Sequence, residues 1–211
     1  MKTKQEGHSA FSIFNFTLLV ALCAAVGGCF DEPEPAYKSV PAECRVYLDG
    51  KALKSVDWAD AAFAAGERID YLNLDRNQLE SVDGVERLVG LKWLRLNGNR
   101  LTKLPDLRAL VSLRRIYLRD NRFDSVPDTL KDLPSLTDIE LSGNPIKEIP
   151  SWLLEKKGLK NLSFNRTRIT ALPPDLSAWS SLQSLQLGEL SLPDVEMARI
   201  RKALPNVTIV F

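Results

Sequence analysis

The chain has 211 residues, 45% hydrophobic and 26% charged, which excludes a wholly disordered polymer and allows one domain with a real core. Its 28 basic and 27 acidic residues leave a formal charge of +1, so no global field draws nucleic acid or an anionic membrane surface. Electrostatic recognition must come from local patches. The first element in the chain is a processing signal, 1–28. Lys2 and Lys4 precede an apolar run over 11–26, broken by Ser12, Asn15 and Thr17. The run falls short of the roughly 20 residues that span a bilayer comfortably, so export is favoured over a membrane span.

Val26-Gly27-Gly28-Cys29 resembles the lipobox of bacterial lipoproteins, in which a branched apolar residue and two small residues precede a cysteine. The resemblance implies cleavage before Cys29 and lipidation of its thiol. Cys23 fits less well because Leu22 is too large for the usual small position. Val26, where leucine is more usual, and the polar start through Ser9 depart from the commonest pattern, which leaves an unlipidated export signal or a signal anchor as alternatives. Phe30 resembles the residue that follows the cysteine in lipoproteins sent on to an outer membrane, so the implied location is a bacterial cell envelope, on either its periplasmic or its surface side. Cleavage removes Lys2, Lys4 and Glu6, which balances the charges, and it removes His8, the one histidine. Cys44 then stands alone and can form no intramolecular disulfide.

A lipidated cysteine and tether, 29–42, with Pro33, Pro35 and Pro41 among charges, would space the domain from the membrane. An N-terminal cap, 43–66, follows. It contains a short strand from Cys44 to Leu48 and a helix capped by Ser55 and closed by Gly66, with Val56, Ala59 and Phe63 on one face and Cys44 beneath.

From 67 to 190 the chain repeats. Rows of the form L-x-x-L-x-L-x-x-N-x-L begin at Ile69, Leu91, Leu113, Leu136, Leu159 and Leu182, a spacing of 22 or 23 residues, giving about six coils. The ninth position is Asn77, Asn99, Asn121 and Asn144. An asparagine there can satisfy backbone groups buried at the turn off the strand, in its own coil and the next. Thr167 can do part of this and Leu190 none, so looser turns are expected at that end. Leu104-Pro105, Val126-Pro127, Ile149-Pro150 and Leu172-Pro173 lead into short segments expected to be single helical or 3₁₀ turns, with proline at the first helical position. The pattern is identified as leucine-rich repeat. That resemblance implies an α/β solenoid: a right-handed coil with a parallel concave β-sheet, short convex helical segments and helical N- and C-terminal caps.

The closing cap, 191–211, has Pro193 starting a helix with Asp194 and Glu196 in its first turn and Arg199, Arg201 and Lys202 near its end. Met197, Ile200 and Leu204 share a face, and a last strand from Val207 to Phe211 pairs beside the Leu185 strand.

Alternation along each strand turns three columns onto the concave face. They run Tyr71, Trp93, Arg115, Asp138, Asn161, Ser184; Asn73, Arg95, Tyr117, Glu140, Ser163, Gln186; and Asp75, Asn97, Arg119, Ser142, Asn165, Gly188. Trp93, Arg95, Arg115, Tyr117 and Arg119 form one aromatic and basic patch, with Tyr71, Asp138 and Glu140 beside it. Trp, Tyr and Arg are the residues that dominate protein-binding hot spots, so the expected function is a membrane-anchored module that binds a protein partner as a monomer. A self-satisfied surface is the alternative, with Arg115 pairing Asp138 and Arg95 reaching Glu140. Envelope glycan binding through Trp93 and Tyr117 beside Asn73 and Asn97, or a structural envelope role, are others. A hydrolase built on Asp75, Asp138 and Glu140 lacks a burying pocket, and the mature chain has no histidine, cysteine cluster or glycine-rich phosphate loop. No catalytic residue, metal or cofactor is expected, nor is nucleic acid a partner. Asn161, Asn165 and Asn206 open glycosylation triplets that matter only in a eukaryotic secretory path.

Overall fold

The computed structural model describes residues 44–56 and 69–211. The export signal, Cys29, the tether and the cap helix beyond Val56 lie outside the described residues.

Each coil returns the chain in the same direction, so its strands pair in parallel and in chain order. β1 (Cys44–Tyr47), β2 (Ile69–Asn73), β3 (Trp93–Arg95), β4 (Arg115–Tyr117), β5 (Asp138–Glu140), β6 (Asn161–Ser163), β7 (Ser184–Gln186) and β8 (Thr208–Val210) make one eight-stranded sheet. From β2 to β8 the register is constant: Leu72, Leu94, Ile116, Ile139, Leu162, Leu185 and Ile209 align as one row. The repeat leucines are buried, as are the apolar residues opening each row, so the core is continuous along the solenoid, and the described residues form no second sheet.

The N-terminal cap contributes a true rung. Val46 aligns with Leu72 and is buried, and Leu48 N–H donates to the Asn73 carbonyl at 2.8 Å. Cys44 is half-buried against the core. The sheet is therefore two rungs longer than the six repeats, one contributed by each cap.

The asparagine ladder is present, with its direction reversed from expectation. Asn99 Nδ2 donates to the carbonyls of Leu96 in its own coil and Leu74 in the preceding one, both at 3.0 Å, while its Oδ1 accepts from Leu79 N–H at 3.1 Å. Asn77, Asn121 and Asn144 repeat this geometry. The amide reaches backward because the preceding coil's carbonyl and N–H face the turn. Thr167 bonds only its own coil, through Phe164, yet the backbone bond from Arg166 to Gly188 is 2.9 Å against 2.8 Å for Gly143 to Asn165, so no loosening shows in that geometry.

On the convex side, 3₁₀ turns cover Val85–Arg87, Asp128–Leu130 and Ser177–Trp179, and α1 covers Ser151–Glu155. Pro127 and Pro150 sit one residue before these turns, as N-caps with extended ψ of 120° and 147°, and not at the first helical position. The segment after Pro105 forms turns without a helix. Trp179 is buried, its indole N–H bonded to the Leu153 carbonyl at 3.2 Å.

The closing cap is α2 (Asp194–Ala203) followed by β8; Pro193 is again the residue before the helix. Ile200 and Leu204 are buried and Met197 packs beside them. Arg199 does more than complement the helix dipole. It holds Glu196 at 2.8 Å and donates to the carbonyls of Leu172, Pro173 and Pro174, while Glu196 accepts from Leu172 N–H at 3.0 Å. That clasp ties the cap to the last proline turn. Among the described residues no helix is long and apolar enough to cross a membrane.

Candidate functional site

The constant register lines the concave columns up as expected, and β1 and β8 lengthen them. Tyr47 joins the top, 47% exposed, at 5.3 Å ring centroid to Tyr71. Tyr71 meets Trp93 edge-on at 5.6 Å, and the Arg115 guanidinium lies over Trp93 at 4.4 Å. Aromatic and cationic groups thus run without a break across four strands, each contact being the spacing between neighbouring strands. Burial pushes the Tyr71 hydroxyl pKa up, against the opposing charge of Arg95.

Arg95 belongs to a different arrangement. It lies 5.4 Å over Tyr117 and is gripped by Asp75, with Nε at 2.8 Å and the terminal nitrogen at 2.6 Å. Its partner is Asp75 and not Glu140, because the Asp75 carboxylate on the adjacent coil reaches forward to Arg95, whereas Glu140 lies two strands away. Burial disfavours the Arg95 charge, but the bonds to Asp75 outweigh it and raise the guanidinium pKa. Glu140 instead turns to accept the Ser142 N–H at 2.8 Å.

The third column is largely scaffold. Asp75 Oδ1 accepts from Asn97 N–H at 2.7 Å, Asn97 Oδ1 from Arg119 N–H at 2.9 Å, and Asn165 Oδ1 from Gly188 N–H at 2.6 Å. These side chains reach forward to the next coil while the asparagine ladder reaches back. The Arg119 side chain leaves the patch for Asp120 at 3.2 Å, and Asp120 also holds Arg166 at 3.0 Å. Toward the C-terminal coils the face is small and satisfied: Ser142 and Ser163 are buried and share a 2.7 Å hydrogen bond.

Asp138 sits where the patch turns acidic. It approaches Arg115 at 3.7 Å and accepts from Asn161 at 2.7 Å. Asp75, Asp138 and Glu140 therefore each already serve a neighbour. Among the described residues no group of three or more His, Cys, Asp or Glu side chains is placed to hold a metal ion.

A groove of about 530 Å³ runs along the starts of the strands. Its floor includes Tyr71, Trp93, Arg115 and Asp138, and its outer wall is a row that alternation does not reach: Asp70, Lys92, Arg114, Thr137 and Lys160. In each repeat the first and fourth positions both point inward, so the second and third both face solvent. Strict alternation accounts only for the third.

Residues 90–146 match the model of the leucine rich repeat family. Among solved structures, an internalin from Listeria monocytogenes is 20% identical, with a TM-score of 0.60, covering 79% of this chain and 54% of its own. A leucine-rich-repeat protein of Leptospira interrogans is 23% identical, with a TM-score of 0.43, covering 75% of this chain and 58% of its own. This chain thus spans little more than half the length of either. No curated protein matches it. With the parallel, open sheet and its short convex turns, the fold is a leucine-rich-repeat solenoid.

Proposed function

We propose that this protein is a non-catalytic binding module of a bacterial cell envelope, held to a membrane, the outer one by the residue after its cysteine, through lipid on Cys29, and that its concave face captures a protein partner. The observation that carries the partner-binding reading is the unbroken stack from Tyr47 through Tyr71 and Trp93 to Arg115. A large aromatic surface on an open sheet has no structural task of its own, whereas Trp, Tyr and Arg at a patch centre are the usual anchors of protein interfaces. The same stack weighs against a glycan. Arg115 covers one face of the Trp93 ring, the kind of surface on which a sugar stacks, and Tyr71 packs against the same ring at 65°.

Two measurements test this. The intact mass of the membrane-fraction protein is expected to match a chain starting at Cys29 with added lipid; an unmodified full-length mass removes the anchor. A Trp93→Ala, Arg115→Ala double variant is expected to lose a protein that the parent retains from a membrane extract. Unchanged capture removes the concave face as the site, and co-sedimentation with envelope polysaccharide by the parent alone replaces the protein partner with a glycan.

A further inference from the structure

We propose that the groove along the strand starts is a second binding element that takes an extended peptide bearing carboxylates at sparse intervals. The proposal deepens the concave-face reading and rests on it, since Trp93 and Arg115 belong to both.

The groove is electropositive in a chain that is almost neutral overall. Five basic residues and two acidic ones line it, while the whole sequence carries a formal charge of +1. Internal pairing accounts for part of this: Lys92 is held by Asp70 at 2.6 Å, and Arg115 is offset by Asp138 at 3.7 Å. Arg114 and Lys160 are exposed and have no ion pair among the described residues. They occupy the same repeat position on coils two apart, so their backbones lie about 9–10 Å from each other across the sheet. A peptide in the extended polyproline II conformation advances about 3.1 Å per residue with about three residues per turn, so carboxylates at every third residue share one face and match that interval.

Two features favour such a peptide over a dense polyanion. Asp70 and Asp138 sit in the groove itself and would repel a chain carrying a charge on every unit, as a polyphosphate or a nucleic acid does. Ser135 and Thr137 lie between Arg114 and Lys160, and Asn161 and Gln183 beside Lys160, where they can meet peptide groups and neutral side chains. A sparse anion fits both features. The charges also sit at the rim of the Trp93 stack, where they would steer and orient a partner whose anchor residues dock on the aromatics.

The experiment uses the full chain and a fluorescein-labelled peptide of repeated Glu-Ser-Thr triplets, with repeated Gln-Ser-Thr as its neutral counterpart and inorganic polyphosphate as competitor. The Glu peptide is expected to bind with a dissociation constant below about 1 mM and to weaken with added salt. The Gln peptide and the Arg114→Glu, Lys160→Glu variant should each bind at least about tenfold more weakly, and the Lys103→Glu variant, at an exposed position outside the groove lining, as the parent does. Loss in both the Arg114/Lys160 and the Trp93→Ala, Arg115→Ala variants supports the proposal and the function it rests on. Loss only in the Trp93/Arg115 variant overturns the groove proposal and leaves the concave-face function standing. Loss only in the Arg114/Lys160 variant upholds the groove and removes the stack as its anchor. No binding of the Glu peptide by the parent, equal binding of the Gln peptide, or displacement by polyphosphate at lower concentration than by unlabelled Glu peptide overturns the proposal.

Discussion

The Asp120 side chain lies across the backbone of Gly143: a β-carbon on Gly143 would stand 2.1 Å from Asp120 Oδ1 and 3.3 Å from Asp120 Cα. Both residues occupy the left-handed region, with φ of +52° and +70°, at the turn just before the ladder asparagine. Alanine at 143 therefore meets a steric clash on top of the left-handed penalty. At Gly98, by contrast, the nearest Arg76 atoms are 3.6 Å away, so alanine pays only for its φ of +65°. Gly98→Ala is expected to cost about 1–2 kcal/mol and Gly143→Ala about 1–2 kcal/mol more, read from urea denaturation. Equal costs would mean that Asp120 swings aside freely.

The ladder predicts a gain as well as losses. Asn121→Ala strands the Leu101 N–H and removes a donor from the Leu96 and Leu118 carbonyls, all in buried surroundings, and should cost about 3 kcal/mol or more. Thr167→Asn extends the ladder by one coil. Its amide would reach back to the Leu141 carbonyl, which already accepts from Asn144, as the Leu118 carbonyl accepts from both Asn121 and Asn144. A rise of about 0.5–1.5 kcal/mol in unfolding free energy is expected, and no rise would show that the turn at Thr167 differs from those before it.

The clasp between Glu196 and Arg199 sets an acid limit. The Arg199 guanidinium, bonded through both carboxylate oxygens, draws the Glu196 pKa down from 4.5 to about 2. A carboxyl with a depressed folded-state pKa contributes stability above its unfolded pKa and loses it as pH falls through the folded one. Thermal stability attributable to the clasp should thus be full above about pH 5 and decline between 4.5 and 2. Glu196→Gln removes that contribution at neutral pH and flattens the dependence. A parent and variant that lose stability in parallel over this window would place the acid sensitivity elsewhere.

Residues that repeat were readable from sequence; residues whose role depends on the coil beside them were less so. The rows from Ile69 to Leu182 and the four ladder asparagines announce themselves, because each must fill the same environment in every coil. The left-handed turn does not, since Gly98 and Gly143 share it with Arg76, Asp120, Arg166 and Glu189, whose identities signal charge and not conformation. Arg95 has Asp75 one coil before it and Glu140 two strands after it, and the bond goes to the nearer acid. The cationic wall of the groove was hidden by the broken alternation between the first and fourth positions of each repeat. Arg199 read as a dipole partner, and its three carbonyl contacts belong to a turn about 25 residues away.

Asp75 and Asp138 face the same patch, yet removing them should have different consequences. Asp75 is nearly buried and serves Arg95 and the Asn97 N–H and amide, so Asp75→Ala leaves a half-buried guanidinium and a backbone donor unpaired. A loss of about 2–3 kcal/mol in unfolding free energy is expected. Asp138 stands 3.7 Å from Arg115, a distance at which water competes, and its other donors are the side chains of Thr137 and Asn161 and no backbone N–H, so Asp138→Ala should cost less, about 1 kcal/mol. Chemical denaturation of the two variants checks this, and comparable losses would make Asp138 part of the scaffold. The contrast governs how binding data are read. A weakened partner in an Asp75 variant reports a disturbed sheet rim, whereas in Asp138, Arg115 or Arg114 variants of parental stability it reports a lost contact.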